Sequence, residues 1–413
     1  MANPKLSVVY YAHTYFLDAT LETLKSIKDI VDIHLLIELA PESKNSTIIS
    51  VDNLDGFAAV EPIENVLEKS SYEQLKPYFK NLASVHFVMH TSIGSYSIQS
   101  ILTATKVGKW INVLQPDIIH FDTISSRTIG LFPYIRKRKV FITIHDPIAH
   151  SGEHSWKKGV PKFVYYKLVN SFFFYSKFAK AQFIKYHPLI DKPKHVIKLQ
   201  PYSYIKQYLD VKMKGKESII LFFGRISYYK GIDILLEALP IVLNKYPNEQ
   251  FVIAGKFSNY SINADFLNRY ASNIKLIDEY IEIDMLAKLI QCSKFVVCPY
   301  RDATQSGVLM TTMALGKSTI ATNVGAFPEY VDNESNGLLT EPNATSLANS
   351  ILYALDKNKY KELELHVNGN YSFSTANSNQ NKIVSAYNYA FSNTIAKQRI
   401  KKNKKTTYNE QFY

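Results

Sequence analysis

The stretch FFGRISYYKGIDILLEAL, Phe222 to Leu239, decides how this chain of 413 residues is to be read. An apolar run stops at Gly224-Arg225, and Lys230-Gly231 follows shortly after. Ile232, Leu235, Leu236 and Leu239 then recur at helical spacing, with Asp233 near the start, where a carboxylate suits the helix dipole. The pattern is strand, turn, helix, with two cations bracketing the turn. In open parallel sheets, ligands bind beyond the carboxyl ends of the strands. Gly224, Arg225 and Lys230 therefore stand where an anion would be held.

The same alternation runs through the whole chain. SVVYYA (Ser7 to Ala12), IHLLIEL (Ile33 to Leu39), VHFVMH (Val85 to His90), IIHF (Ile118 to Phe121), VFITIH (Val140 to His145) and FFFY (Phe172 to Tyr175) read as strands. Helical periodicity falls between most of them, as in Leu21 to Ile30 and Ser97 to Leu114. In the second half the strands are IILFFG, FVIAG, IKLI, FVVCPY and STIATN. These runs are continuous rather than alternating, which marks strands covered on both faces. The α/β class follows, with two doubly wound, Rossmann-like domains facing one cleft. The expected division is residues 1–200 and 201–377, joined through the polar, lysine-bearing stretch between Val196 and Ser218. A last helix over 378–395 is expected to cross back to the first domain, leaving 396–413 as a basic tail.

Composition narrows the classes. A hydrophobic share of 46% is normal for a globular chain. No run approaches the length of a membrane span, and the polar start through Lys5 does not resemble a signal peptide. Two cysteines, Cys292 and Cys298, form no metal site by themselves and read as reduced thiols. The formal charge of +12 suits phosphorylated substrates, an anionic membrane face or nucleic acid. No zinc-finger pattern and no RNA-binding aromatic signature occurs, so nucleic acid is not expected. Basic clusters lie at Arg136 to Lys139, between Trp156 and Lys185 among aromatics, and at Lys397 to Lys405. They favour contact with a membrane surface.

A second anion feature follows FVVCPY. Thr304 to Gly307 introduce a helix in RDATQSGVLMTTMALGKS, and Ser306, Gly307 and Val308 would offer free N–H groups at its start. Together GRISYYKGIDILLEAL, the VIAG strand, SGVLMTTMALGKSTIATNVGAFPEYV and SNGLLTEPN resemble the donor domain of retaining glycosyltransferases of family 4, which have the GT-B fold. The resemblance is strong over Ile219 to Leu355 and looser in the first domain. It implies that Arg225 and Lys230 hold the diphosphate of a sugar nucleotide. The family commonly carries two glutamates here, and Ala303 and Thr311 stand in their places. A subgroup of the family reads A-T-Q-S-G-V at this point, as this chain does. Gln305, Ser306 and Thr311 are then expected to supply polar contacts instead.

In the first domain VFITIHDPIAHSGEHSW ends a strand at His145-Asp146 and enters a histidine-rich loop. HSGEH matches the H-x-x-E-H pattern of some zinc peptidases, but that pattern needs a helix. Pro147, Ser151 and Gly152 make a loop here, and no metal is expected. The loop resembles H-D-P-x-x-H-S-G-E of the same subgroup. His145 is expected in the chemistry, with Asp146 orienting it or binding an acceptor hydroxyl. His13, His150 and Glu153 are expected on the acceptor side. Tyr11, Thr14, His120 and Asp122 also stand at strand ends. No two aspartates stand two apart as a metal-binding D-x-D, so protein groups would neutralise the leaving diphosphate.

The sequence thus implies a cytoplasmic, metal-independent, retaining glycosyltransferase without a cofactor, peripheral to the inner face of the cell membrane. It would move a sugar from a nucleoside diphosphate to a hydroxyl of a glycan or lipid-linked glycan, in surface polysaccharide biosynthesis. The missing glutamates keep open a non-catalytic sugar-nucleotide-binding subunit. A dinucleotide oxidoreductase is disfavoured, because neither first strand is followed by G-x-G-x-x-G.

Overall fold

The protein is described here by a computed structural model covering residues 5–46, 48–148, 165–213, 215–258, 260–367 and 375–392. Two sheets organise it. The first contains β1 (Ser7–His13), β2 (Asp32–Leu39), β3 (Val60–Pro62), β4 (Ser84–Met89), β5 (Ile118–Phe121), β6 (Lys139–Ile144), β7 (Ser171–Phe174) and β8 (Lys194–Val196), in the order β3-β4-β2-β1-β5-β6-β7-β8. All neighbours are parallel except β3 and β4. The second contains β9 (Ile219–Phe223), β10 (Gln250–Ala254), β11 (Ile274–Ile277), β12 (Ser293–Cys298), β13 (Thr319–Thr322) and β14 (Gly337–Thr340), all parallel, in the order β11-β10-β9-β12-β13-β14. Chain order reverses beside β1 in one sheet and beside β9 in the other. Those switch points are where a doubly wound sheet opens a crevice.

The continuous apolar runs explain the double burial. Val8, Val9 and Tyr10 of β1 are inaccessible on both faces, as are Phe172, Phe173 and Phe174 of β7. One apolar cluster continues from the first sheet through Ile197, Leu199, Tyr204 and Ile205 to Leu309, Met310 and Met313 of the second domain. The 375–392 helix returns to the first sheet, where its Tyr387 hydroxyl lies 2.5 Å from His120 Nδ1. His120 Nε2 meets Thr143 Oγ1 at 2.8 Å, and burial pulls the ring down to about 3, so it is neutral. His120 is a packing residue under that helix rather than a cleft group.

Several contacts tie the domains at the cleft. The Lys177 and Phe178 N–H groups, at the start of the Lys177–Tyr186 helix, each donate to a Glu329 oxygen at 2.8 Å. Ser176 Oγ donates to the Thr304 carbonyl at 2.9 Å. The Tyr330 hydroxyl donates to the Tyr175 carbonyl and accepts from the Leu199 N–H at 3.1 Å.

Some elements differ from expectation. The first helix spans Leu17–Ile27 rather than Leu21 to Ile30, because a 3-10 turn at Thr14–Phe16 feeds directly into it. The short strands β3, β8 and β14 were not anticipated; the first two are only half-buried and carry no periodic signal.

Candidate active site

The donor side is built at the end of β9. Gly224 has φ +98°, and a Cβ placed there would lie 2.6 Å from Lys230 Nζ and 3.1 Å from Val308 Cγ2. The ammonium and the first turn of the Gly307–Ala314 helix therefore converge on this one backbone position. Lys230 is buried on a 3-10 turn that ends in Gly231 at φ +66°, where any Cβ would strike the Pro299 carbonyl at 1.9 Å. That close approach locks the turn against the end of β12. Arg225 is exposed on the cleft edge near Tyr15.

Ser306 caps the facing helix by accepting from the Leu309 N–H at 3.2 Å. The N–H groups of the first turn have no partner inside a helix, which favours an anion there. Tyr202 flanks this end, its ring 3.4 Å from a Cβ placed on Gly307. Thr311 Oγ1 donates back to the Gly307 carbonyl at 2.8 Å. Ala303 is buried, and its carbonyl accepts from the Ala326 N–H at 2.7 Å.

His145 links the domains. Its Nε2 lies 3.0 Å from Asp122 Oδ2, its Nδ1 lies 2.7 Å from Gln305 Nε2, and its ring stacks on Phe16 at 3.9 Å. Asp122 is fully buried and also accepts from Thr20 Oγ1 at 2.8 Å. A carboxylate on one side and an amide donor on the other assign the proton to Nε2, leaving Nδ1 as acceptor toward the cleft. Asp146 accepts the Thr304 hydroxyl, across the same seam.

His13 accepts from the Tyr15 N–H at 3.3 Å, and its Nε2 stands 3.7 Å from Glu38 Oε1. Burial lowers its pKa, against the opposing pull of Glu38 and Glu42. His150 and Glu153 lie outside the described residues. Among the described residues no cluster of three His, Cys, Asp or Glu side chains is arranged to hold a metal ion.

The sequence reading missed Glu38 and His90, at the carboxyl ends of β2 and β4. Both are buried, and neither Glu38 Oε1 nor either nitrogen of His90 has a hydrogen-bond partner among the described residues. Each closes an apolar run at its carboxyl end, and that was the available signal. Asp18, in the first turn of the Leu17–Ile27 helix, was also missed. Burial, then the Glu22 carboxylate, push its pKa from 3.8 up to about 7.

Asp18 makes stability pH-dependent with a definite sign. Its folded pKa is raised, so between the ordinary value and about 7 the native state holds a proton that the unfolded chain has released. Its contribution to stability therefore falls as pH rises through that window and is flat above it. Urea midpoints of Asp18→Asn are expected to lose less than the wild type between about pH 5 and about pH 8. Equal losses in the two proteins would refute the assignment.

Residues 217–357 match the family described as glycosyl transferases group 1. An uncharacterized glycosyltransferase of Methanocaldococcus jannaschii is 30% identical over 140 residues, which is 33% of this chain and 36% of that protein. The chain spans about a third of the length of the curated relatives it matches. Over the whole fold, Anabaena Alr3699/HepE in complex with UDP and glucose superposes with a TM-score of 0.62 at 15% identity, covering 92% of this chain and 100% of that one. The catalytic domain of starch synthase IV from Arabidopsis thaliana, bound to ADP and acarbose, gives 0.63 at 12% identity, covering 94% and 100%. The chain has the GT-B fold of glycosyltransferases, and its second domain matches the glycosyl transferases group 1 family.

Proposed function

We propose that this protein transfers a sugar from a nucleoside diphosphate to a hydroxyl of a glycan or lipid-linked glycan, with retention of configuration. The observation that carries the reading is the convergence of the Lys230 ammonium and the Gly307–Ala314 helix start on Gly224, beside Arg225. A diphosphate fits two cations and one helix N-terminus. In the reaction the bond from the anomeric carbon to the β-phosphate oxygen breaks. The acceptor oxygen bonds to that carbon, and its proton passes to the departing diphosphate. Arg225, Lys230 and the first-turn N–H groups stabilise the charge that builds on the leaving oxygens, without a metal. His145, held by Asp122, offers Nδ1 as an acceptor to a sugar hydroxyl when Gln305 gives way.

Retention and the donor type rest on the resemblance of Ile219 to Leu355, and a place in surface polysaccharide assembly rests on the basic clusters and aromatics. The competing reading, a binding subunit without turnover, rests on Ala303 and Thr311. A thermal-shift screen against UDP, GDP, ADP and their sugars, run in chelator, tests the proposal. One base is expected to stabilise the protein by about 2.7 kcal/mol at a hundredfold excess over its dissociation constant. No response to any nucleotide sinks the donor assignment, and a response that returns only with manganese sinks the metal-free mechanism. Binding without release of nucleotide in the presence of any acceptor favours the subunit.

A further inference from the structure

The Ile98–Leu114 helix is turned inside out over its first two turns. Its buried face is Ser100, Thr103, Ala104, Val107, Gly108 and Ile111, mostly small or hydroxylated. That face packs tightly on residues 126–135: a Cβ on Gly108 would enter the Tyr134 ring at 2.3 Å, and one on Gly130 would meet Ala104 Cβ at 2.8 Å. In the first two turns the larger apolar side chains stand outside, whereas Val107 and Ile111 further along are buried. Ile98 is 78% exposed and Leu102 51%, with Ile101 also exposed on the same stripe. Ile93, 82% exposed, precedes them in the loop from β4. A helix normally hides its large apolar residues and shows its small polar ones. This inversion needs a partner, since contiguous apolar surface marks an interaction site.

The face is rigid and well placed. Buried Arg127 donates to the Ser92 carbonyl at 2.7 Å, the Ile93 carbonyl at 3.0 Å and Ser100 Oγ at 3.0 Å, and pairs with Glu42. It fixes the loop and the helix start together. β4 runs parallel to β1 and β5 within the sheet, so its carboxyl end and this helix start lie at the same end as His13 and Asp122.

We infer that this face docks on an anionic lipid bilayer and sets the cleft mouth beside it. Charge selects the occupant. Between Glu73 and Asp117 the chain has no acidic residue, while Lys106 and Lys109 follow the apolar stripe on the exposed side. Arg138 reaches Asn112 Oδ1 at 3.0 Å at the far end of the helix, next to Arg136 and Lys137. Apolar side chains that insert, flanked by lysines that meet headgroups, are what an anionic interface binds. A second copy would bring the same lysines against each other. The inference deepens the lipid-linked branch of the proposed acceptor, but its test reads binding and not transfer.

The test is co-sedimentation of the full chain with vesicles of phosphatidylcholine alone and of phosphatidylcholine with phosphatidylglycerol. Wild type is expected on the anionic vesicles and largely absent from the neutral ones. Ile98→Ser/Leu102→Ser, which touches only exposed side chains, should weaken partition by about tenfold with an unchanged melting midpoint. Lys106→Glu/Lys109→Glu should weaken it at low salt and match the wild type at high salt. Unaltered binding of the serine variant, or equal binding of wild type to both vesicles, overturns the inference. So does a wild-type dimer in sedimentation velocity that the serine variant dissolves, since the face would then belong to a second copy. Loss of nucleotide binding in the earlier screen, with vesicle binding intact, would remove the enzyme reading and leave this one standing.

Discussion

Lys230→Ala is expected to lower turnover by about tenfold to a thousandfold, on the order of 1.4 to 4 kcal/mol of lost charge stabilisation. The ammonium is held in the crook of the turn beside Gly224, so it would meet the proposed diphosphate without having to reorganise. It also stands 5.5 Å from the Tyr300 ring centroid, and an unchanged melting midpoint is the check that its removal leaves the fold intact. That combination separates a site residue from a packing residue. Arg225→Ala should act in the same direction without touching stability, since the side chain is exposed. Full activity in the Lys230 variant would remove the diphosphate from this turn.

His145→Ala should cut turnover by about a hundredfold or more while sparing nucleotide-induced stabilisation. The ring touches the seam between domains through Gln305, whereas the groups proposed to hold a diphosphate, Arg225 and Lys230, lie on the second domain. Asp122→Asn supplies the control. It would leave the shape intact but replace the acceptor for Nε2–H with a group that can donate, and so disturb the tautomer. Activity should fall in both variants if Nδ1 works as an acceptor. Normal turnover in His145→Ala, or a variant that unfolds, would return the residue to packing.

Much of the architecture was legible because physical rules act locally on it. Runs such as Phe172 to Tyr175, short and bounded by polar residues, read as strands buried on both faces, and Gly224 to Gly231, with a glycine at each end, reads as a turn. What escaped was three-dimensional. β8 is three half-buried residues whose pairing partner is β7, and nothing in Lys194–Val196 announces that. Glu38 and His90 were quoted within their strands, yet the burial of Glu38 Oε1 and of both His90 nitrogens without a hydrogen bond depends on neighbours distant in sequence. Asp18 reads as an ordinary acidic first-turn residue; only the fold gives it a proton near neutrality. Gln305 was expected at the donor, and the structure places its amide on His145 of the other domain.

The carboxylate of Glu329 has a consequence for the clock of the reaction. It sits on two amides at the head of the Lys177–Tyr186 helix, which belongs to the opposite domain. On the proposed function, spreading the cleft to let a spent nucleotide leave would strip the carboxylate from both amides, each bond worth roughly 1.5 to 3 kcal/mol when made to a charge. Water recovers part of that, and the remainder is a barrier to opening. Turnover would then be capped by the dwell time of this clasp. A weaker clasp would trade shelter of the reacting bond for quicker exchange.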